Sequence, residues 1–71
     1  MQQVKIVDAR GLSCPQPVIL ARKAIESGPL PVVVRVDTAK ALENVRRMAE
    51  RAGMQVQVEA VDDEFRLTIG K

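Results

Sequence analysis

Residues Asp8–Ile25 read DARGLSCPQPVILARKAI, and where this stretch passes from loop to helix decides the rest of the fold. It holds the only cysteine of the chain, Cys14, followed by two prolines with one residue between them. Proline breaks a helix interior, but in the first turn its missing N–H costs nothing, because those amides have no intrahelical acceptor. The residue before a proline is pushed out of the α region, and proline is favoured at the first helical position. Both rules make Cys14 the N-cap and predict a helix from Pro15 to about Ser27. A rival frame takes Ser13 as cap with Gln16 completing a Ser-x-x-Gln box, but it requires Cys14 to be helical just before a proline. Val18, Ala21 and Ile25, flanked by Leu20 and Ala24, form the apolar face of this helix. Gln16, Arg22, Lys23 and Glu26 face outward, and "SGPLP" at 27–31 stops it.

Working outward, Gln3–Val7 alternates around Val4 and Ile6 and reads as a strand. "DARGLSC" is then a loop, with Gly11 at a special backbone position. "VVVRV", Val32–Val36, reads as a buried strand. Asp37 or Thr38 caps a second helix that runs to about Ala52. Leu42, Val45, Ala49 and Ala52 line its inner face with Met48 beside them, and Gly53 stops it. Met54–Val61 alternates around Val56 and Val58, Asp62 and Asp63 make a turn, and Phe65, Leu67 and Ile69 alternate in a last strand, which predicts a hairpin. The order is βαβαββ, with the first helix a right-handed crossover between two strands. Two helices cannot cover both faces of four strands, so the economical fold is an α+β two-layer sandwich with both helices on one face. The other face is expected to be polar, with Lys5, Arg66 and Thr68 on it.

Seventy-one residues, 46% of them apolar, make one small domain spanning 1–71. A chain of this size buries only about 60% of the surface exposed when unfolded, so its core is thin. One cysteine excludes an internal disulfide framework and suits a reducing compartment. The opening "MQQVKIVDAR" has no apolar core of a secretory signal, and no window approaches the ~18 apolar residues of a membrane helix. The expected location is cytoplasmic. Eleven basic against nine acidic residues leave a net charge of +2, too small an excess to argue for a nucleic-acid partner.

The chemistry narrows to one thiol. Without histidine there is no Cys–His hydrolase pair, and without a second cysteine no internal dithiol exchange. The same shortage argues against zinc. At a helix N-terminus the dipole and free amides favour a thiolate, although Pro15 and Pro17 donate nothing and leave only the amides of Cys14 and Gln16. A moderately activated, accessible thiolate is expected, with Arg10 the nearest basic residue in sequence. Arg22 lies roughly 12 Å along the helix, too far for direct contact. What remains is a thiol that is modified and passed on: a one-thiol carrier or a redox-sensitive switch. No cofactor is expected beyond the transient modification of Cys14.

Other features have plainer readings. Lys40, Arg46, Arg47 and Arg51 give the second helix a basic side, but Glu43–Arg47 and Arg46–Glu50 have i,i+4 spacing and suggest a solvated, internally paired face. An RNA-binding module is the alternative function class. With Phe65 the single aromatic there is no stacking platform for bases, so direct nucleic-acid binding is disfavoured. Asp62, Asp63 and Glu64 read as a solvated hairpin tip, and the three methionines show no copper-type arrangement.

The quoted stretch resembles the signature of the TusA-like (SirA-like) sulfur carriers, an Asp-x-x-Gly-x-x-Cys-Pro-x-Pro loop between strand and helix. Asp8, Gly11, Cys14, Pro15 and Pro17 match it position by position, and Arg10 and Gln16 lie within it. The resemblance runs along essentially the whole chain and implies a four-stranded mixed sheet in the two-layer sandwich. It implies further that Cys14 accepts a sulfane sulfur from a cysteine desulfurase or rhodanese-like donor and hands the persulfide to a downstream acceptor protein. Such a protein acts as a stoichiometric sulfurtransferase-like carrier rather than a free-standing catalyst. Gln16 stands where the tRNA-thiolation branch commonly has Glu, and the Asp-Pro turn of that branch is missing after the second strand. The second half is more similar to YedF-type members, sometimes associated with selenium metabolism. The pathway served is left open among tRNA thiolation, molybdenum cofactor maturation, sulfur oxidation and selenium.

Overall fold

The elements follow one another as β1 (Lys5–Asp8), α1 (Gln16–Ser27), β2 (Val32–Val36), α2 (Ala39–Arg51), β3 (Gln55–Val61) and β4 (Glu64–Gly70). The structure, a computed structural model, describes residues 5–28 and 30–70. The sheet order is β1-β2-β4-β3: β1 and β2 run parallel, while β4 pairs antiparallel with both β2 and β3. It is the four-stranded mixed sheet and α+β sandwich anticipated above. The two C-terminal strands are long enough to pair throughout, Gln55 opposite Gly70 to Val61 opposite Glu64. The turn between them puts Asp62 at φ 54°, a left-handed conformation that Asp tolerates better than most residues.

The core sits between the sheet and both helices. Val32, Val34 and Val36 on β2 and Leu67 and Ile69 on β4 are fully enclosed against Ala21 and Ala24 of α1 and Val45 and Ala49 of α2. The small alanines let the helices lie close to the β-branched central strand. Thr38 caps α2, accepting a hydrogen bond from the Ala41 amide at 3.1 Å. Gly53 ends the helix at φ 82°, the left-handed position for which glycine is suited.

Several expectations need correction. α1 starts at Gln16, one residue later than expected, and Pro15 is its N-cap. The reason is a four-residue turn: the Gln16 amide donates to the Ser13 carbonyl at 2.8 Å, around a cis Cys14–Pro15 peptide. A cis proline in third place is the arrangement of a type VI turn. The first helical hydrogen bond is then Ile19 N–H to the Pro15 carbonyl, 3.1 Å. Neither Cys14 nor Ser13 caps the helix through its side chain.

The phase of β1 also differs. Val4 lies outside the described residues, and Ile6 is 63% exposed, while Val7 packs against the core. Parallel pairing sets this, because Val7 lies beside the inward Val34 and Ile6 beside Val33. Lys5 therefore belongs to the helical side, where its Nζ donates to Ser27 Oγ at 3.2 Å, instead of the open face. On α2, Ala52 is an exposed C-cap rather than an inner residue. Ala9, not singled out from sequence, is buried, and its amide extends the β1 ladder to the Arg35 carbonyl at 2.9 Å.

Candidate functional site

Cys14 is a free, exposed thiol where the loop after β1 enters α1. The turn closed by Gln16 fixes its direction, and the same bond occupies an amide that the sequence had left for the sulfur. A different donor reaches the thiol. The side-chain amide of Asn44, six positions into α2, points its Nδ2 at Cys14 Sγ from 3.7 Å. Thirty residues separate the two in sequence, so no local spacing announces the pair. The available signal was compositional: Asn is a poor helix former, and here it interrupts α2 beside the Leu42–Val45 stripe.

The thiol opens onto a groove of about 590 Å³ between the two helices. Val18 and Ile25 of α1 and Met48 of α2 give it an aliphatic floor. Arg22, excluded above as a direct partner of the thiol, lines the same groove, as do Arg47 and Arg51. Neither i,i+4 pair expected on α2, Glu43–Arg47 or Arg46–Glu50, is among the ion pairs of the described residues. Glu43 instead takes Arg46 at 3.0 Å, and among the described residues Arg47 and Arg51 enter no ion pair.

The rest of the motif divides away from the sulfur. Asp8, Arg10 and Gly11 line a separate polar hollow of about 720 Å³ with Arg35, Glu64 and Arg66. Arg10 is held there by two bonds to the Asp8 carboxylate, each 2.9 Å, and is not free to support the thiol. Gly11, at φ 75°, turns the loop, and its amide donates to Asp37 at 3.1 Å, tying the cysteine loop to the segment before α2. Within the helix start, Gln16 is exposed while Pro17 is buried. The motif residues thus act at different places: Asp8, Arg10 and Gly11 shape the loop, Pro15 makes the turn, and Pro17 anchors the helix to the core.

Each arginine of the hollow approaches a carboxylate. Arg35 forms two bonds of 2.8 Å with Glu64, and Arg66 and Arg10 approach the same carboxylate at 3.5 and 3.9 Å. The Arg35 bond, followed by the charges of the arginines, holds Glu64 below its usual range. Hydrogen bonds from the Arg10 side chain and backbone hold Asp8 well below the carboxylate range. The same pairs raise Arg10 and Arg35. Among the described residues no cluster of three or more His, Cys, Asp or Glu is arranged to hold a metal ion. No helix there is long and apolar enough to cross a membrane.

A family model described as sulfurtransferase TusA matches residues 5–71, the stretch that holds this cysteine loop and both helices. The chain belongs to the TusA family. Its fold is also that of a SirA-like protein from Desulfitobacterium hafniense, whose crystal structure superimposes with a TM-score of 0.85. The two are 36% identical over 96% of each chain. No curated protein matches the sequence significantly. TusA-family membership points to a sulfur-carrier role carried out with partner proteins, and Cys14 is the one cysteine available for it.

Proposed function

We propose that Cys14 carries sulfur as a persulfide between two proteins. The observation that carries this reading is the single exposed thiol at the start of α1, with the Asn44 amide at 3.7 Å and an open groove beside it. In the loading step the Cys14 thiolate attacks the terminal sulfur of a donor's persulfide. A new S–S bond forms at Cys14, the donor's S–S bond breaks, and the donor cysteine leaves as a thiolate. In delivery an acceptor thiolate attacks the terminal sulfur on Cys14, and Cys14 departs as a thiolate. Each step is thiol–persulfide exchange, so no external oxidant or reductant is consumed.

Three features of the chain suit this sequence of steps. Exposure lets Cys14 enter a partner's active site. The absence of a second cysteine removes an internal nucleophile that would discharge the cargo. Asn44 can donate to whichever sulfur bears the negative charge as bonds exchange, holding it in one direction. A cysteine desulfurase or a rhodanese-like protein is the donor class we assign, and the compartment is the cytoplasm, where a lone thiol stays reduced.

The test is loading measured by intact mass. Incubation with a cysteine desulfurase and free cysteine, or with a rhodanese and thiosulfate, should add one sulfur atom to the wild-type chain. A reductant should remove it, and Cys14→Ser should never acquire it. A wild-type protein that stays unloaded with both donors would reject the reading.

A further inference from the structure

The groove between α1 and α2 carries charge that sulfur transfer at Cys14 does not itself use. Its walls hold three guanidinium groups, Arg22, Arg47 and Arg51, against one carboxylate, Glu26. Among the described residues only Arg22 of these is ion-paired, with Glu26 at 3.4 Å. The hollow on the other side of the molecule has the opposite balance, three arginines against five carboxylates. By their lining residues the groove beside the thiol is net positive and the hollow net negative. On α2, Glu43 pairs with Arg46 and so leaves Arg47 on the groove.

We propose that this groove docks an acidic segment of the protein that exchanges sulfur with Cys14. Carboxylates on that segment meet Arg22 across the groove from Arg47 and Arg51, and an aliphatic side chain seats on Val18, Ile25 and Met48. The inference rests on the sulfur-carrier reading for the partner's task and adds the partner's chemistry. From Gln16 at the start of α1 to Glu26 the helix rises about 15 Å, which an extended segment of roughly five residues would span. Such a segment would run its own reactive sulfur toward the Cys14 end. A protein fits better than RNA because no aromatic side chain lines the groove, so bases have no surface on which to stack. Opposite charge would speed productive encounter and penalise basic partners.

The charge preference can be read without persulfide. Two short cysteine-containing peptides, one of Glu and Leu and one with Lys replacing every Glu, are each activated as a mixed disulfide with thionitrobenzoate. Cys14 thiolate attacks the peptide sulfur, the mixed disulfide breaks, and the coloured thionitrobenzoate thiolate leaves. At low salt the Glu peptide should react about tenfold faster than the Lys peptide, and high salt should shrink the difference. R22Q/R47Q/R51Q should abolish the preference, whereas K23Q/K40Q, which alters exposed basic residues outside the groove, should retain it. If the triple variant fails to fold, the three single variants should each lower the preference in steps. Backbone NMR shifts caused by a cysteine-free Glu–Leu peptide should fall on α1 and α2.

Equal rates for the two peptides, a preference that survives the arginine variants, or shifts confined to the open sheet face would overturn the proposal. So would a short single-stranded RNA that binds the groove more tightly than the Glu–Leu peptide and is lost in the same variants. Because the probe carries no sulfane sulfur, these outcomes are independent of whether Cys14 loads from a desulfurase.

Discussion

At the scale of single residues, the side-chain amide of Asn44 joins the thiol of Cys14 to α2. A hydrogen bond to a charged group contributes about 1.5–3 kcal/mol in proteins, and an exposed amide–sulfur bond falls at or below the low end. Asn44→Ala should therefore slow sulfur loading about 3–10-fold while the stability of the fold is little changed. Asn44→Asp, which replaces the donor by a carboxylate, should slow it more. Loading rates followed by mass spectrometry check this, and an unchanged rate in both variants would remove Asn44 from the site. Cys14 itself was legible because the local rules for proline and for lone thiols converge on it. Asn44 was not, since a contact between an N-terminal loop and the second helix has no periodic signature. Arg47 was misjudged for a related reason: i,i+4 spacing names a possible partner, but Glu43 had two arginines within reach and bonded Arg46.

Among the elements, the strongly periodic ones were legible nearly to the residue: β2 as a β-branched run, α2 between Thr38 and Gly53, and the β3–β4 hairpin around Asp62–Asp63. Two departures, at α1 and β1, arise where short-range rules meet pairing. The start of α1 moved because the Gln16 amide closes a turn on Ser13 before the helix begins. The phase of β1 moved because a four-residue strand takes its register from β2, and its own alternation is too brief to decide. That phase makes a contrast measurable by urea unfolding. Leu67→Ala, in the centre of the core, should cost about 2–5 kcal/mol. Ile6→Thr should cost no more than about 0.5 kcal/mol, as expected for an exposed position. A large loss from Ile6→Thr would restore the inward reading of β1.

The whole molecule divides its charge between two sides, with the thiol groove basic and the opposite hollow rich in carboxylates. Ion pairs in that hollow join the cysteine loop to β1, β2 and β4 through Asp8, Arg10, Arg35 and Glu64. Both carboxylates are held below their unfolded values, about 3.9 for Asp and 4.3 for Glu. A lowered folded pKa gives stability that is complete above the unfolded value and is lost as pH falls toward the folded one. The stability gap between wild type and Asp8→Asn should thus be widest above about pH 5 and should narrow progressively below about pH 4. A gap independent of pH in urea titrations would mean that the Asp8 charge contributes nothing. Sequence showed the residues of this network but not their assembly, because β1, β2 and β4 meet only through the sheet order. The central claim, however, concerns Cys14, and intact mass tests it most directly. After treatment with a cysteine desulfurase and cysteine, the wild-type chain should gain one reductant-labile sulfur atom that Cys14→Ser does not gain. An unloaded wild type, or a Cys14→Ser variant that gains the same mass, would contradict the account.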